Sequence, residues 1–189
     1  MLRFRRLLLI VSLALAHVAI AGAVSADVQV NDPTTDTGDS TTQSETALAL
    51  GNGVLCAGFN DFGPNGLSGW ARSTDFGVTW TDLGGINESG DPVIAYHVAS
   101  DTFYYASLGN VSPRVNASTD GCQSWGTAVS VTSTGTAQTT LADKPWIAVD
   151  NSGGANDGNM YICWTRFFNP GGGGTSELRV ARSTDGGGT

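Results

Sequence analysis

Three times this 189-residue chain writes Ser-Thr-Asp, a hydroxyl two positions before a carboxylate: Ser73 and Asp75, Ser118 and Asp120, Ser183 and Asp185. Such pairs admit two chemistries. In a cleft, the carboxylate can work as an acid or base. In a tight turn, hydroxyl and carboxylate accept hydrogen bonds from amides that the turn leaves unpaired. Glycines beside each pair favour the turn, and Asp75, Asp120 and Asp185 are expected to be structural. Asp61, in Gly58-Phe59-Asn60-Asp61-Phe62-Gly63-Pro64, stands outside the pattern. It is a candidate general acid, although a lone carboxylate in a Gly/Pro/Asn-rich stretch more commonly forms a turn. His97 is the single histidine beyond residue 26, too few for a His-based metal site. A Ser–His–Asp site would have to use it, and no nucleophile motif lies near. No metal site and no cofactor is expected.

The elements that carry these residues repeat. Each Ser-Thr-Asp closes a similar run of short, β-prone stretches separated by Gly, Asn, Asp and Pro turns, and no stretch has a helical period. The first unit opens with Ser44-Glu45-Thr46-Ala47-Leu48-Ala49-Leu50, the second with Asp91-Pro92-Val93-Ile94-Ala95-Tyr96, the third with Asp143-Lys144-Pro145-Trp146-Ile147-Ala148-Val149-Asp150. Their openings at Glu45, Asp91 and Asp143 lie 46 and 52 positions apart, the period of a four-stranded propeller blade. Two loops lengthen the third unit, residues 151–159 and 169–177. The first is acidic but departs from the calcium-loop order, and its Asn156-Asp157-Gly158-Asn159 reads as a hairpin turn.

Ser73-Thr74-Asp75-Phe76-Gly77-Val78-Thr79-Trp80 resembles the Asp box of the sialidase superfamily and related BNR-repeat propellers. The second copy keeps Ser118, Asp120 and Trp125 but puts Gly121 one place early, with Cys122 where glycine is usual. That turn is either distorted or Cys122 has a partner. The third copy, Ser183 to Thr189, includes Asp185 and Gly187 and fits at every position it possesses. The units around Asp91 and Asp143 also resemble blades of exported bacterial exo-α-sialidase-like proteins, so the likeness covers residues 44–189. It implies an all-β propeller of the sialidase type, six-bladed in the full ring. About three four-stranded blades would be present here (44–88, 89–135 and 141–189, the last incomplete). In such a box Ser73, Asp75 and Gly77 build the turn between the third and fourth strands, and Trp80 starts the outer strand.

The same resemblance implies a site of three arginines clamping a carboxylate, an Asp acid/base and a Tyr–Glu pair. Asp61 occupies a place similar to that of the acid/base. The first arginine is missing, because no Lys or Arg occurs between Arg6 and Arg72. Tyr96, Tyr104, Tyr105 and Tyr161 fall in early strands and read as packing residues. The expected function is therefore a glycan-related sialidase-like propeller without a complete catalytic constellation in this stretch. The alternatives are a non-catalytic propeller binding glycan or protein, or an active exo-α-sialidase once further blades are included. Three blades alone would expose an apolar face and associate.

Arg3, Arg5 and Arg6, the apolar run that follows, and small residues to Ala26 read as a secretory signal cleaved after Ala26 or Ala23, with a retained anchor as the rival. Residues 27–43 read as a disordered linker. The formal charge of −8, with Lys144 the only lysine, excludes nucleic acid as a partner and an anionic membrane after cleavage. One disulfide plus a free thiol is possible in an exported chain, but the odd count and wide spacing do not suggest a disulfide framework; Cys56 and Cys163, within apolar runs, read as buried small hydrophobes.

Overall fold

The computed structural model describes residues 26–34, 42–63, 66–86, 88–109, 111–131, 140–169 and 174–188. The expected signal, apart from Ala26, lies outside them, as does 35–41 of the expected linker. Ala26 to Thr34 contains no helix or strand, and the Asp32 amide donates to the Asp82 carboxylate at 2.8 Å.

Among the described residues every regular element is a strand. β1 (Gln43–Gly51), β2 (Val54–Gly63), β3 (Gly66–Ser73) and β4 (Thr81–Ile86) form one antiparallel meander. β5 (Val93–His97), β6 (Thr102–Leu108), β7 (Pro113–Ser118) and the short β8 (Val129–Ser130) form a second. β9 (Thr140–Val149), β10 (Met160–Phe168) and β11 (Thr175–Ser183) form a third, three-stranded among the described residues. The leading strands β1, β5 and β9 lie side by side and the sheets stack face to face. The chain thus folds as consecutive blades of a β-propeller, with the leading strand of each blade innermost. Asn52-Gly53 turns β1 into β2 with both residues at positive φ, the backbone that a two-residue hairpin requires.

Packing explains why the strands read differently. β6 is buried on both faces, because the second blade is sandwiched. Its Phe103 and Tyr105 join Cys56, Trp70, Ile94 and Cys122 against the first blade. Its Tyr104 and Ala106 join Ala142, Ile147, Met160, Ile162 and Trp164 against the third. β10 alternates instead, with Met160, Ile162 and Trp164 inside and Tyr161 and Cys163 outside. Cys163 is therefore exposed, contrary to the expectation of burial: strand alternation sends it to the face that nothing covers. Trp146, Leu178 and Val180 share that exposed face, which is the apolar surface expected of a blade without a neighbour.

Of the other two cysteines, Cys122 has the partner that was one of its two expected readings, and Cys56 departs from expectation. Cys56 is buried, but as half of a disulfide with Cys122, Cα to Cα 6.1 Å. The bond ties β2 of the first blade to the Ser118–Asp120 turn of the second. Linear spacing could not indicate the pair, because 66 residues separate two positions that meet only when blades stack.

Candidate functional site

The blades have two distinct ends. At the opening end the innermost strands begin; at the other lie the three Ser-Thr-Asp turns and the β1–β2, β5–β6 and β9–β10 connections.

At the opening end, Glu45, Asp91 and Lys144 adopt φ of 52°, 50° and 48°. Such a backbone costs a side-chain-bearing residue about 1–2 kcal/mol. Strain repeated at one place in three blades points to a local constraint there. In β1 the pairing slips between Ser44 and Ala47. In β9 it slips opposite the step from Cys163 to Thr165. Bulges of this kind re-aim side chains. By backbone, the counterpart of Glu45 and Asp91 is Lys144 rather than Asp143, so the third opening lies one residue later than the repeat reading placed it.

These side chains converge. Lys144 Nζ pairs with Glu45 Oε2, joining the third blade to the first. The Lys144 amide lies 3.4 Å from Asp91 Oδ2. The Asp91 amide donates to Asn60 Oδ1 at 2.6 Å and the Gly90 amide to Ser68 Oγ at 3.0 Å, so buried polar groups of the first blade fix the entry to the second. Asp143 is raised above the usual carboxylate range, first by burial and then by its hydrogen bond with Asp91 and the charges of Asp91 and Glu45. A carboxyl shifted upward in this way is a better proton donor to an oxygen on a ligand than an unshifted one. Around this group, burial raises Glu88 while Arg114, 3.2 Å away, opposes the shift. Arg166 is buried, 3.8 Å from Glu177 and over the Phe168 ring. Both guanidiniums thus already stand beside a glutamate.

Asp61 lies within β2, paired with Gln43, and not in the turn that its surroundings suggested. The strand runs on to Gly63 and places it at the opening end, half-buried. Gly69 across the sheet makes the room: a Cβ there would come within 2.8 Å of Asp61 Cβ. Burial, assisted by the charges of Glu88 and Asp61, pushes the Tyr105 phenol up.

The three Ser-Thr-Asp turns occupy the opposite end. Ser73 Oγ donates to Asp75 Oδ1 and accepts the Gly77 amide at 2.9 Å. Asp75 accepts both the amide and hydroxyl of Thr79. The second copy repeats this through Ser118, Asp120, Cys122 and Ser124, the third through Ser183, Asp185, Gly187 and Gly188. Asp75 is lowered to about 2, first by the Thr79 hydroxyl and then by the Thr79 amide. Asp120 is opposed by burial, yet its bonds from Ser124 and Ser118 also bring it to about 2. Cys122 takes the positive φ that Gly77 and Gly187 take in the other copies, so the second turn keeps its bonds and Cys122 has a partner as well. Trp125 meets Tyr105 and Trp70 edge-on at 5.1 and 6.3 Å. Trp80 lies beside Val30 and Phe59 in a groove on the first blade.

His97 is buried at this end, 2.8 Å from Ser100 Oγ and 3.3 Å from Asp157 Oδ2, bridging the second and third blades. The Ser100 hydroxyl also lies 2.9 Å from Thr102 Oγ1, engaged within its own turn. In the β9–β10 loop the Asp157 and Asp150 carboxylates accept local amides. Asn116, within a glycosylation sequon, is buried and donates to Gly126 O. Among the described residues, no group of three or more His, Cys, Asp or Glu could hold a metal.

Sequence reasoning used Glu45, Asp91 and Asp143 only as markers of repeat spacing. The available signal was an acidic residue recurring at the start of each innermost strand.

No protein-family profile matches this chain, and no curated protein does. Among solved structures it is similar to GH43B of the Bacteroides ovatus xyloglucan PUL, at 15% identity, 78% coverage of this chain and TM-score 0.49. An α-L-arabinofuranosidase (CtGH43) from Clostridium thermocellum matches at 16%, 78% and 0.44. An endo-arabinase from Bacteroides thetaiotaomicron matches at 15%, 74% and 0.42. The chain spans 28%, 58% and 55% of their respective lengths.

Proposed function

We propose that this chain contributes three blades to an exported, Asp-box-bearing, glycan-binding propeller. Its opening end engages sugar through Asp143, Asp91 and Glu45. The observation that carries the reading is the convergence of these groups, with Asp143 held toward its protonated form against Asp91. A carboxyl donor beside carboxylate acceptors matches sugar hydroxyls, and most glycoside hydrolases work with one protonated and one ionised carboxyl.

The same centre bears on the choice of sugar. An anionic sugar needs a cationic clamp, and Lys144, the lysine at this centre, is paired with Glu45. With no arginine before Arg72 in the first blade, the centre favours an uncharged glycan over a sialoside. The basic start, the apolar run to Ala26 and the Cys56–Cys122 disulfide support export, since such bonds persist in oxidising compartments. N-terminal sequencing of the exported protein should begin at Asp27.

Full-length protein tested on fluorogenic neutral glycosides, a fluorogenic sialoside and neutral oligosaccharides should bind or turn over a neutral sugar and leave the sialoside intact. Asp143→Asn and Asp91→Asn should each weaken that activity at least tenfold. Sialoside turnover, or neutral-sugar binding unchanged in both variants, would overturn the reading.

A further inference from the structure

The Asp-box turns contain one substitution that their hydrogen bonds do not call for. After the aspartate, each turn takes two consecutive residues at positive φ: Phe76 and Gly77, Gly121 and Cys122, Gly186 and Gly187. Two copies use glycine at the first of these positions. The first blade uses phenylalanine, at φ 58°. A bulky residue in the left-handed region is a genuine outlier, and glycine would relieve it. Burial does not compensate, because Phe76 is 73% exposed.

Phe76 stands at the rim of an open cleft between the first and second blades, with a volume of about 520 Å³. That is within the roughly 300–1,000 Å³ typical of small-ligand sites. Leu50 (57% exposed) and Val98 (67%) add apolar surface to its walls. The polar side is organised in advance: Asp101 accepts the Tyr96 hydroxyl at 2.6 Å and the Asn52 amide at 2.9 Å. The Tyr96 ring lies so close over Gly51 that a Cβ there would come within 2.3–2.5 Å of it, and its other contact is Phe103, 4.7 Å between centroids. The cleft thus combines an exposed aromatic plane and aliphatic walls with a fixed amide–carboxylate–phenol array.

From this geometry we infer a second sugar-binding subsite, at the Asp-box end, in which Phe76 is the stacking platform for an uncharged sugar ring. A pyranose or furanose has an apolar face for Phe76 and a rim of hydroxyls for Asn52 and Asp101. The carboxylate lining the cleft, on a chain of net charge −8, disfavours anionic sugars. The choice of glycan as ligand rests on the function proposed above. The site itself rests on separate residues at the opposite end of the blades.

Affinity electrophoresis of the full chain in gels containing xyloglucan, arabinan or polygalacturonate tests the subsite. A neutral polysaccharide should retard the chain and polygalacturonate should not. Phe76→Gly, which restores the residue of the sister turns, should weaken retardation at least fivefold while raising the melting temperature by about 2–4 °C, the shift expected from removing modest strain in a chain of this size. Phe76→Trp should preserve retardation, and Phe76→Gly should weaken it by the same factor when added to Asp143→Asn. Unchanged retardation of Phe76→Gly, or no retardation of the parent by either neutral polymer, would overturn the subsite. Loss in Asp143→Asn with none in Phe76→Gly would overturn it while leaving the opening-end reading intact. A concentration-dependent dimer abolished by Phe76→Gly, without retardation, would make the patch a self-association surface and overturn the sugar assignment.

Discussion

The two ends of the blades use aspartate in opposite ways. In the Ser-Thr-Asp turns at one end each aspartate is surrounded by donors from its own turn, and Asp75 and Asp120 fall to about 2. At the opening end Asp143 is partly buried and faces Asp91 and Glu45, so it rises. Donors within a few residues stabilise the ionised form, whereas burial beside a second carboxylate opposes it. Carboxylates that look alike in sequence are turn-builders at one end and candidate proton donors at the other. Whether the partner is local or comes from another blade decides between the two roles.

The strongest perturbation of this contrast is at the disulfide, which locks the second Asp-box turn to the first blade. Cys122→Ser should lower the unfolding free energy by about 4 kcal/mol, measured by urea denaturation. Cys122→Gly should cost less, because glycine accepts the positive φ that serine does not. Equal losses would mean that the turn contributes nothing of its own.

Next comes Ser118→Ala, which leaves the Cys122 amide without its acceptor in a buried turn. A loss of about 1–2 kcal/mol is expected; a neutral result would break the account of the boxes as side-chain-held turns. The acid response sharpens the comparison further. Asp75 and Asp120 have lowered values in the fold, so their contribution is complete above about pH 4, the unfolded value, and is lost as pH falls toward 2. Carboxyl titration by NMR should find both near 2 and Asp143 above its ordinary value.

The smallest effect is Asp143→Asn. A raised carboxyl loses stability as pH climbs from its unfolded value through its folded one. Replacing it should therefore leave the fold at pH 7 unchanged or more stable by less than about 1 kcal/mol, given its exposure to solvent screening. Destabilisation would show that Asp143 is an ionised structural partner and would collapse the distinction between the ends.

The blades were legible because each is a local event: a strand run, a turn, and a hydroxyl two residues before a carboxylate. Ser73 with Asp75 or Ser118 with Asp120 needs no distant partner, so short-range chemistry suffices to find it. The opening-end site is different. Glu45, Asp91 and Lys144 meet only because three blade openings take the same left-handed backbone at one level, with bulges in β1 and β9, and neither leaves a mark in hydrophobic alternation. The Cys56–Cys122 pair and the His97–Asp157 contact between blades escaped for the same reason. Asp61 was misplaced more narrowly, since its Gly- and Pro-rich neighbourhood reads as a turn while β2 continues through it to Gly63.

The Asn52-Gly53 hairpin has a further consequence, for the protein's chemical ageing. Asparagine followed by glycine is the pair most prone to spontaneous deamidation, and here the Asn52 amide is the donor that reaches Asp101 on the next blade. Its hydrolysis would replace that donor with a second carboxylate facing the first, turning an attraction between blades into a repulsion. One place where stored protein loosens should therefore be the seam between the first and second blades, on the side of the cleft that carries Phe76.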